Sequence, residues 1–350
     1  MGGVEQPPSI NLKAAHQFMN TRRNVLTAEN YVEGILRGDR TILSKAITLI
    51  ESALPAHQSL AQEIIGQSLP FSGNSIRIGI TGVPGVGKSS FIESFGRFLT
   101  QSGHRIAVLA IDPSSSRSKG SILGDKTRME ELATDPNAFI RPSPSSGSLG
   151  GVARKTRETI ILCEAAGFNV IVVETVGVGQ SEIAVHSMVD FFLLLMIAGA
   201  GDELQGIKRG IMEMADAILI NKADGDNLPK INITLAELRN ALHFFHPSES
   251  GWIPVAGSCS ARTRNGIPEA WQTISEYVEF AKGNGYFNKR RLEQARNTMH
   301  ISIEESLSNH FFQTAEIKKQ LKKLNESLTK MEISEYAAAQ MLLNIYFKRK

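Results

Sequence analysis

One eight-residue segment, residues 82–89, has the composition of a phosphate-binding loop. It fits the pattern G-x-x-x-x-G-K-[ST], with Gly82, Gly87, Lys88 and Ser89 at the fixed positions. Glycines let backbone N–H groups turn inward around phosphate oxygens. A lysine here can reach the outer phosphates of a nucleoside triphosphate, and the serine hydroxyl can ligate Mg²⁺. Five further residues in or next to the loop are predicted to contact the phosphates: Val83, Pro84, Gly85, Val86 and Ser90.

The chain on either side of this loop has the patterns of the two elements that a phosphate-binding loop needs. Residues 75–81 form an apolar-rich run that predicts a buried strand, and residues 90–99 have a helical pattern. The N-terminus of such a helix adds partial positive charge next to the loop. Strand, glycine-rich loop and helix in this order predict a P-loop that binds a nucleotide.

A second motif indicates which base the nucleotide carries. Asn221, Lys222 and Asp224 fit N-K-x-D and directly follow an apolar strand pattern. The Asp224 carboxylate can accept hydrogen bonds from N1–H and the 2-amino group of guanine, whereas adenine offers neither donor. Because an unpaired buried polar group costs on the order of 1–3 kcal/mol, the motif favours GTP and GDP. Ser260 and Ala261 resemble the last guanine-binding box, whose backbone N–H contacts the guanine carbonyl.

Three acidic residues are candidates to surround Mg²⁺ and the hydrolytic water. Asp112 and Glu174 each end a predicted strand, where parallel sheets bind their ligands, and Asp125 lies in a polar loop. A helix cap or an ion pair is the alternative role for Asp112 and Glu174, and Asp125 could be an ordinary loop residue. Gly177 occupies the position whose N–H contacts the γ-phosphate. Val178 follows, where Ras-like GTPases place the glutamine that orients water, so unassisted hydrolysis is predicted to be slow.

The rest of the chain supplies the elements that must position these motifs. Apolar runs alternate with helical patterns such as residues 152–166 and 204–214. The predicted strands are residues 77–81, 107–112, 170–175, 191–197, 217–221 and 253–256. Several are continuously apolar, which is typical of parallel strands covered on both faces. The predicted fold class is therefore α/β, with a doubly wound, mostly parallel sheet.

Helical patterns on both sides of this sheet divide the chain into three predicted regions. Residues 1–70 are an N-terminal helical extension, residues 71–283 the P-loop domain, and residues 284–350 a C-terminal helical arm. The arm has a short coiled-coil-like seam with spacings of four and three: Ile317, Leu321, Leu324, Leu328 and Met331. A seam of two heptads does not distinguish an arm that packs on its own domain from an arm that pairs with a second copy of the chain.

The bulk composition disfavours several classes of protein. The 350 residues are 42% hydrophobic and 21% charged, with a net charge of +3, which gives no indication of nucleic-acid binding. The longest apolar stretch, residues 191–201, is too short to cross a bilayer, and no secretory signal is visible. Cys163 and Cys259 lie far apart without a CxxC motif, which suits a reducing compartment. We therefore expect a cytoplasmic protein.

Four longer segments resemble a known family: residues 110–115, 120–129, 174–180 and 201–208. They are similar to the MeaB/ArgK/MMAA family, which are GTPase chaperones of methylmalonyl-CoA mutase. The likeness extends from about residue 27 to residue 346. The resemblance implies a metallochaperone-type P-loop GTPase with a C-terminal dimerisation arm, and therefore a homodimer. It also implies Mg²⁺-dependent GTP hydrolysis that gates adenosylcobalamin loading into a B12-dependent acyl-CoA mutase and protects that mutase.

The resemblance also assigns roles to residues. Lys88 and Ser89 hold phosphate and Mg²⁺. The family's acidic positions around the metal and the hydrolytic water correspond to Asp112, Asp125 and Glu174. Residues 201–208 are similar to the family's additional mobile switch, which signals to the mutase.

Three other functions stay open at this point. One is a transport-associated ATPase or kinase for basic amino acids, which the guanine box disfavours. Another is a metal-insertion GTPase of the hydrogenase or urease type, which would carry a Cys/His cluster. The closest histidines here, His243 and His246, are only a pair. The third is a nucleotide-regulated scaffold with little turnover.

Overall fold

A seven-stranded sheet forms the centre of the protein. The computed structural model describes seven stretches of the chain: residues 26–52, 54–112, 129–144, 149–175, 181–199, 209–245 and 248–348. The strands β1 to β7 are Ile76–Gly82, Ile106–Asp112, Ala138–Pro144, Val170–Thr175, Phe191–Ile197, Ala217–Asn221 and Val255–Ser258. Their order across the sheet is β3-β2-β4-β1-β5-β6-β7, and each neighbouring pair is parallel. The predicted fold class is confirmed.

Two strands differ from the sequence-based expectation. No strand was expected at β3, because an arginine and two prolines interrupt the apolar pattern after Ile140. Proline is tolerated there because β3 lies at an edge of the sheet. The strand predicted at residues 253–256 was placed too early. β7 begins only at Val255, after Pro254, which has no N–H to donate to a ladder.

Helices cover both faces of the sheet. The helices α1 to α13 of the described residues are Ala28–Leu36, Arg40–Glu51, Pro55–Ser68, Lys88–Gln101, Glu130–Thr134, Leu149–Ala165, Ser181–His186, Arg209–Met214, Leu228–Leu242, Ile267–Gly283, Tyr286–Gln313, Ala315–Thr329 and Glu335–Phe347. Ile78 and Ile80 of β1 pack with α4 and α10 on one face. Ile171 and Val173 of β4 pack with α1, α2, α3 and α6 on the other. The helix predicted at residues 204–214 is described only from Arg209 onward.

The last three helices form the C-terminal arm. Among the 28 residues of α11 only Phe287 is buried. The arm folds back on itself at its far end, where the Tyr346 hydroxyl of α13 lies 2.8 Å from Nδ1 of His310 in α11. The predicted seam is shorter than expected, because α12 ends at Thr329. Met331 lies beyond that helix with a left-handed backbone and is 93% exposed, so it is not part of the seam.

Buried ion pairs attach the start of α11 to the amino edge of the sheet. Arg291 donates from Nε and a terminal nitrogen to the two oxygens of Asp190, at 2.8 and 2.7 Å. The same guanidinium donates to the carbonyl of Ser75 at 2.6 Å. Asp190 also accepts from the backbone N–H of Arg77, whose side chain forms a bidentate pair with Glu164. Burial opposes ionisation of Glu164, but these hydrogen bonds hold its pKa below the ordinary value.

A second arginine of α11 contacts the helix that follows β4. A terminal nitrogen of Arg290 lies 3.2 Å from Nε2 and 3.3 Å from the carbonyl oxygen of His186, the last residue of α7. Burial, together with the charge of Arg290, lowers the pKa of His186 to about 4. The imidazole is therefore neutral at physiological pH and can accept from the guanidinium.

Replacing Arg291 by alanine should strongly destabilise the protein. Asp190, whose side chain is 2% exposed, would lose its charged partner while staying buried. Breaking a buried pair in this way costs about 3–5 kcal/mol. Urea unfolding followed by circular dichroism measures the loss.

Lys289→Ala is the matched control. Lys289 lies two residues earlier on α11 and pairs with Glu293 at 3.8 Å on the exposed side of the helix. Such a pair contributes about 0–1 kcal/mol. An Arg291→Ala protein as stable as the Lys289→Ala protein would contradict the proposed anchor.

Candidate nucleotide-binding site

The turn between β1 and α4 is built on glycines that no other residue could replace. Gly85 and Gly87 have left-handed φ values of +83° and +93°. A Cβ on Gly82 would stand 2.5 Å from the carbonyl oxygen of Leu195 in β5, so the close approach of the two strands requires glycine. Directly after Gly87, α4 begins, and its first N–H groups have no intrahelical acceptor. This end of the helix is suited to bind an anion.

Lys88 lies folded into this loop. Its Nζ donates to the carbonyl oxygens of Gly82 at 2.8 Å and Val83 at 3.3 Å, and only 8% of the residue is exposed. Burial lowers the pKa of the ammonium, while the carboxylates of Glu174 and Glu182 oppose that shift. The Lys88 Nζ thus lies inside the loop, where a phosphate oxygen could replace the carbonyl contacts.

Two oxygen ligands suited to Mg²⁺ lie beside the lysine. The Ser89 hydroxyl donates to Oε1 of Glu174 at 3.3 Å. Glu174 is positioned near the end of β4, in register with Ile80 of β1 and Ala110 of β2. Hydroxyl and carboxylate oxygens are the ligands that Mg²⁺ prefers, so these two residues fit a magnesium site.

Three other predicted residues near the phosphates are only partly described or lie outside the description. The backbone of Asp112 ends β2, next to β4, so the residue is at the same edge as Glu174. Its side chain is not among the described ones. Asp125 and Gly177 lie outside the described residues, and their roles stay predictions.

The base-reading motif is bonded directly to the phosphate loop. Nδ2 of Asn221, at the end of β6, donates to the carbonyl oxygen of Val86 at 2.9 Å. Nζ of Lys222 donates to the carbonyl oxygen of Gly85 at 2.9 Å. Lys222 has a left-handed backbone, with φ of +62°, which turns the chain sharply after the strand. The two side chains tie the end of β6 to the loop of β1.

The predicted guanine-reading residues lie together. The hydroxyl of the fully buried Ser260 donates to Oδ2 of Asp224 and accepts from the backbone N–H of Thr263 at 3.1 Å. The backbone N–H of Ala223 donates to the carbonyl of Cys259 at 3.0 Å, which pairs the two segments just beyond the strands. Asp224 is thus oriented before a base arrives, as a selective hydrogen-bond acceptor must be.

One charged residue near Lys88 was not predicted from the sequence. Glu182 lies in the first turn of α7, is 4% exposed, and acts electrostatically on Lys88. It follows Glu174 by eight residues, a spacing that belongs to no metal-binding or nucleotide-binding pattern. Only the fold brings it close to the loop.

This sheet and loop define a P-loop nucleotide-binding protein. A family described as "Methylmalonyl Co-A mutase-associated GTPase MeaB" matches residues 43–316. The chain belongs to this family and is a P-loop GTPase. The family resemblance and the GTPase activity expected from the sequence are confirmed.

Relatives from distant organisms match over most of their length. The chain is 46% identical over 319 residues to a probable GTPase of Mycobacterium tuberculosis, covering 91% of this chain and 95% of that one. It is 44% identical over 326 residues to the mouse protein named "Methylmalonic aciduria type A homolog, mitochondrial", covering 90% and 79%. A solved structure named "LAO/AO transport system kinase" is 36% identical, with a TM-score of 0.73, and covers 92% and 98%.

Two features are absent from the residues that the structure describes. None of the helices there has the length and apolar character needed to cross a bilayer. In the same part of the chain, no three His, Cys, Asp or Glu side chains are grouped so that they could hold a metal ion.

Replacing Lys88 by alanine should remove hydrolysis without unfolding the protein. The lysine bonds only to loop carbonyls in the absence of nucleotide, so its loss removes charge stabilisation from the transferred phosphoryl group. Loss of one such preorganised donor lowers the rate by about 100-fold or more. Phosphate release measures the rate, and the thermal unfolding midpoint serves as the control. A variant that hydrolyses GTP at the parent rate would refute the assignment of the loop.

Replacing Asp224 by asparagine should relax the preference for guanine. The amide presents a donor towards guanine N1–H, so discrimination between GDP and ADP should fall by about 1–3 kcal/mol. Titration calorimetry with both nucleotides measures the change. Asp226→Asn is the matched control, because Asp226 is an exposed residue two positions later and should leave both affinities unchanged. Equal falls in the two variants would contradict the role of Asp224.

Proposed function

We propose that this GTPase is a chaperone of a B12-dependent acyl-CoA mutase, with methylmalonyl-CoA mutase as the first candidate. In this proposal it gates the loading of adenosylcobalamin into the mutase and protects the mutase from inactivation. The family match carries the proposal, because the family's description names the mutase and residues 43–316 contain the whole candidate site. The name of the mouse relative, which refers to methylmalonic aciduria, supports the same client.

The geometry supports a division of the site into a phosphate half and a base half. In the phosphate half, the backbone N–H groups of the loop 82–89, except at Pro84, and the Lys88 side chain bind the phosphates and neutralise charge as the γ-phosphoryl group leaves. In the base half, Asp224 accepts from guanine, Lys222 lies along the base, and the Ala261 N–H donates to the guanine carbonyl. The contacts of Asn221 and Lys222 with the loop carbonyls keep the two halves in register.

The residues that we assign to Mg²⁺ are Ser89 and Glu174, together with Asp112 and Asp125. Bound there, Mg²⁺ would neutralise the charge of the β- and γ-phosphates. The Ser89 hydroxyl and the Glu174 carboxylate support this assignment by their 3.3 Å contact beside Lys88.

We also propose a cytoplasmic homodimer formed by the arm. Several large apolar side chains of α11 and α13 are exposed: Leu292, Met299, Ile301, Ile303, Leu307, Phe312, Met341, Leu343 and Phe347. An exposed apolar surface of this kind is typical of a face that pairs with another chain.

The alternative is a transport-associated kinase, which the name of the similar solved structure suggests. A kinase of that type would use ATP. Asp224, held by Ser260 as an acceptor, favours guanine instead. Tighter binding of ATP than of GTP to the unmodified chain would support this alternative.

The chaperone proposal predicts that the mutase accelerates hydrolysis. Because Val178 stands where a water-orienting glutamine is expected, the chain alone should turn over slowly. A B12-dependent acyl-CoA mutase from the same cell should raise turnover by about tenfold or more, which is about 1.4 kcal/mol of activation free energy. GTP turnover is measured against mutase concentration, with the Lys88→Ala protein as the background. No response to any such mutase would refute the proposal.

The same experiment tests which segment of the chain transmits the effect of the mutase on GTP hydrolysis. Residues 201–208, the predicted switch, lie outside the described residues. A variant with Asp202, Glu203 and Lys208 all replaced by alanine should keep the basal rate but lose stimulation. Stimulation equal to that of the parent would remove this segment from the proposal and leave the chaperone role intact.

A further inference from the structure

A third contact between the phosphate half and the base half involves a residue outside every motif. Ser94 lies on α4, five residues after Ser89 at the end of the P-loop, and only 9% of it is exposed. Its hydroxyl donates to the carbonyl oxygen of Ala261 at 2.6 Å. The two residues are 167 positions apart in the sequence. The helix that begins at the phosphate loop thus holds the segment that reads the base.

The segment that Ser94 contacts is a closed turn. The Ser260 N–H donates to the carbonyl of Asn265 at 2.9 Å, and the Arg264 N–H donates to the carbonyl of Ser260 at 2.8 Å. The Ser260 hydroxyl accepts from Thr263 at 3.1 Å. The bond from Ser94 adds a support from α4 to this hydrogen-bonded turn.

The contact also restrains Ala261, the residue whose N–H is predicted to contact the guanine base. Ala261 packs its side chain against the apolar cluster below α4 and α10. The Ala261 carbonyl belongs to the peptide that follows this residue, so Ser94 holds the backbone directly next to the Ala261 N–H. The preceding residue, Ser260, contacts Asp224.

We propose that Ser94 is a positioning residue for guanine selectivity. By holding the Ala261 carbonyl, it keeps the turn of residues 260–265 placed so that the Ala261 N–H meets the guanine carbonyl and the Ser260 hydroxyl meets Asp224. This inference rests on the proposed guanine site. It extends the selective machinery beyond the N-K-x-D motif to the helix that binds the phosphates.

The test is Ser94→Ala, with affinities for GDP, inosine diphosphate and ADP measured by titration calorimetry. Inosine diphosphate keeps the base carbonyl but lacks the 2-amino group, and ADP lacks both. We expect affinity for GDP and for inosine diphosphate to fall by about tenfold, the size of one lost hydrogen bond in a buried site. Affinity for ADP should stay at the parent value, because its phosphates do not depend on Ala261.

Two further variants separate positioning from general damage. Ser94→Thr keeps the hydroxyl and should restore GDP affinity. Ser275→Ala, which removes a serine hydroxyl that bonds within α10, should change none of the three affinities. Thermal unfolding without nucleotide identifies any loss of fold.

Three results would overturn the inference. Equal weakening of GDP and ADP in Ser94→Ala would indicate a merely structural role, and unchanged GDP affinity would indicate no role. If the unmodified chain itself showed no preference for GDP over ADP, the proposed guanine site would fail, and this inference with it. The parent measurement therefore distinguishes the two failures.

Discussion

Parallel pairing of the central strands is the constraint on which the rest of the site depends. Because β4, β1, β5 and β6 run in one direction, their carboxyl ends meet at one edge of the sheet. Glu174, Gly82 and Asn221 reach that edge from three different strands. β1 and β5 approach so closely there that a Cβ on Gly82 would collide with the carbonyl of Leu195. A site for metal, phosphate and base then needs only short turns beyond the strands.

The opposite edge of the same sheet holds the arm. Asp190 and Asp216 directly precede β5 and β6, and the buried guanidinium groups of Arg290 and Arg291 are placed among these acids. The candidate nucleotide site and the start of the arm are thus at opposite ends of the strands. The helix α7 connects the end of β4 with the start of β5, and His186 at its last position contacts Arg290.

Much of this arrangement could be predicted from the sequence, and the exceptions have physical causes. Local patterns suffice for the P-loop, for N-K-x-D and for the continuously apolar strands, because each is a short stretch with a fixed requirement. Prolines interrupt the apolar pattern of β3 and precede the start of β7, so β3 was not predicted and β7 was predicted too early. Both strands lie at edges of the sheet, where an unbroken apolar pattern is not required. No sequence pattern indicated Ser94 or Glu182 as part of the candidate site, because each reaches the site only through the fold. Of the acids predicted to surround Mg²⁺, Asp112 and Glu174 were chosen because they end strands and Asp125 because it lies in a polar loop; the structure describes the side chain of Glu174.

The central claim is that the phosphate loop and the guanine-binding segments are held together by hydrogen bonds before a nucleotide binds. A crystal structure of the chain with GDP and Mg²⁺ tests it most directly. We expect the β-phosphate to lie in the loop of residues 82–89. At least one carboxylate oxygen of Asp224 should lie within about 3 Å of a guanine nitrogen atom. The Ala261 nitrogen should lie at a similar distance from the guanine carbonyl, with the Ser94 contact kept. A base bound away from Asp224 and Ala261, or a Ser94 hydroxyl turned away from the Ala261 carbonyl, would contradict the account.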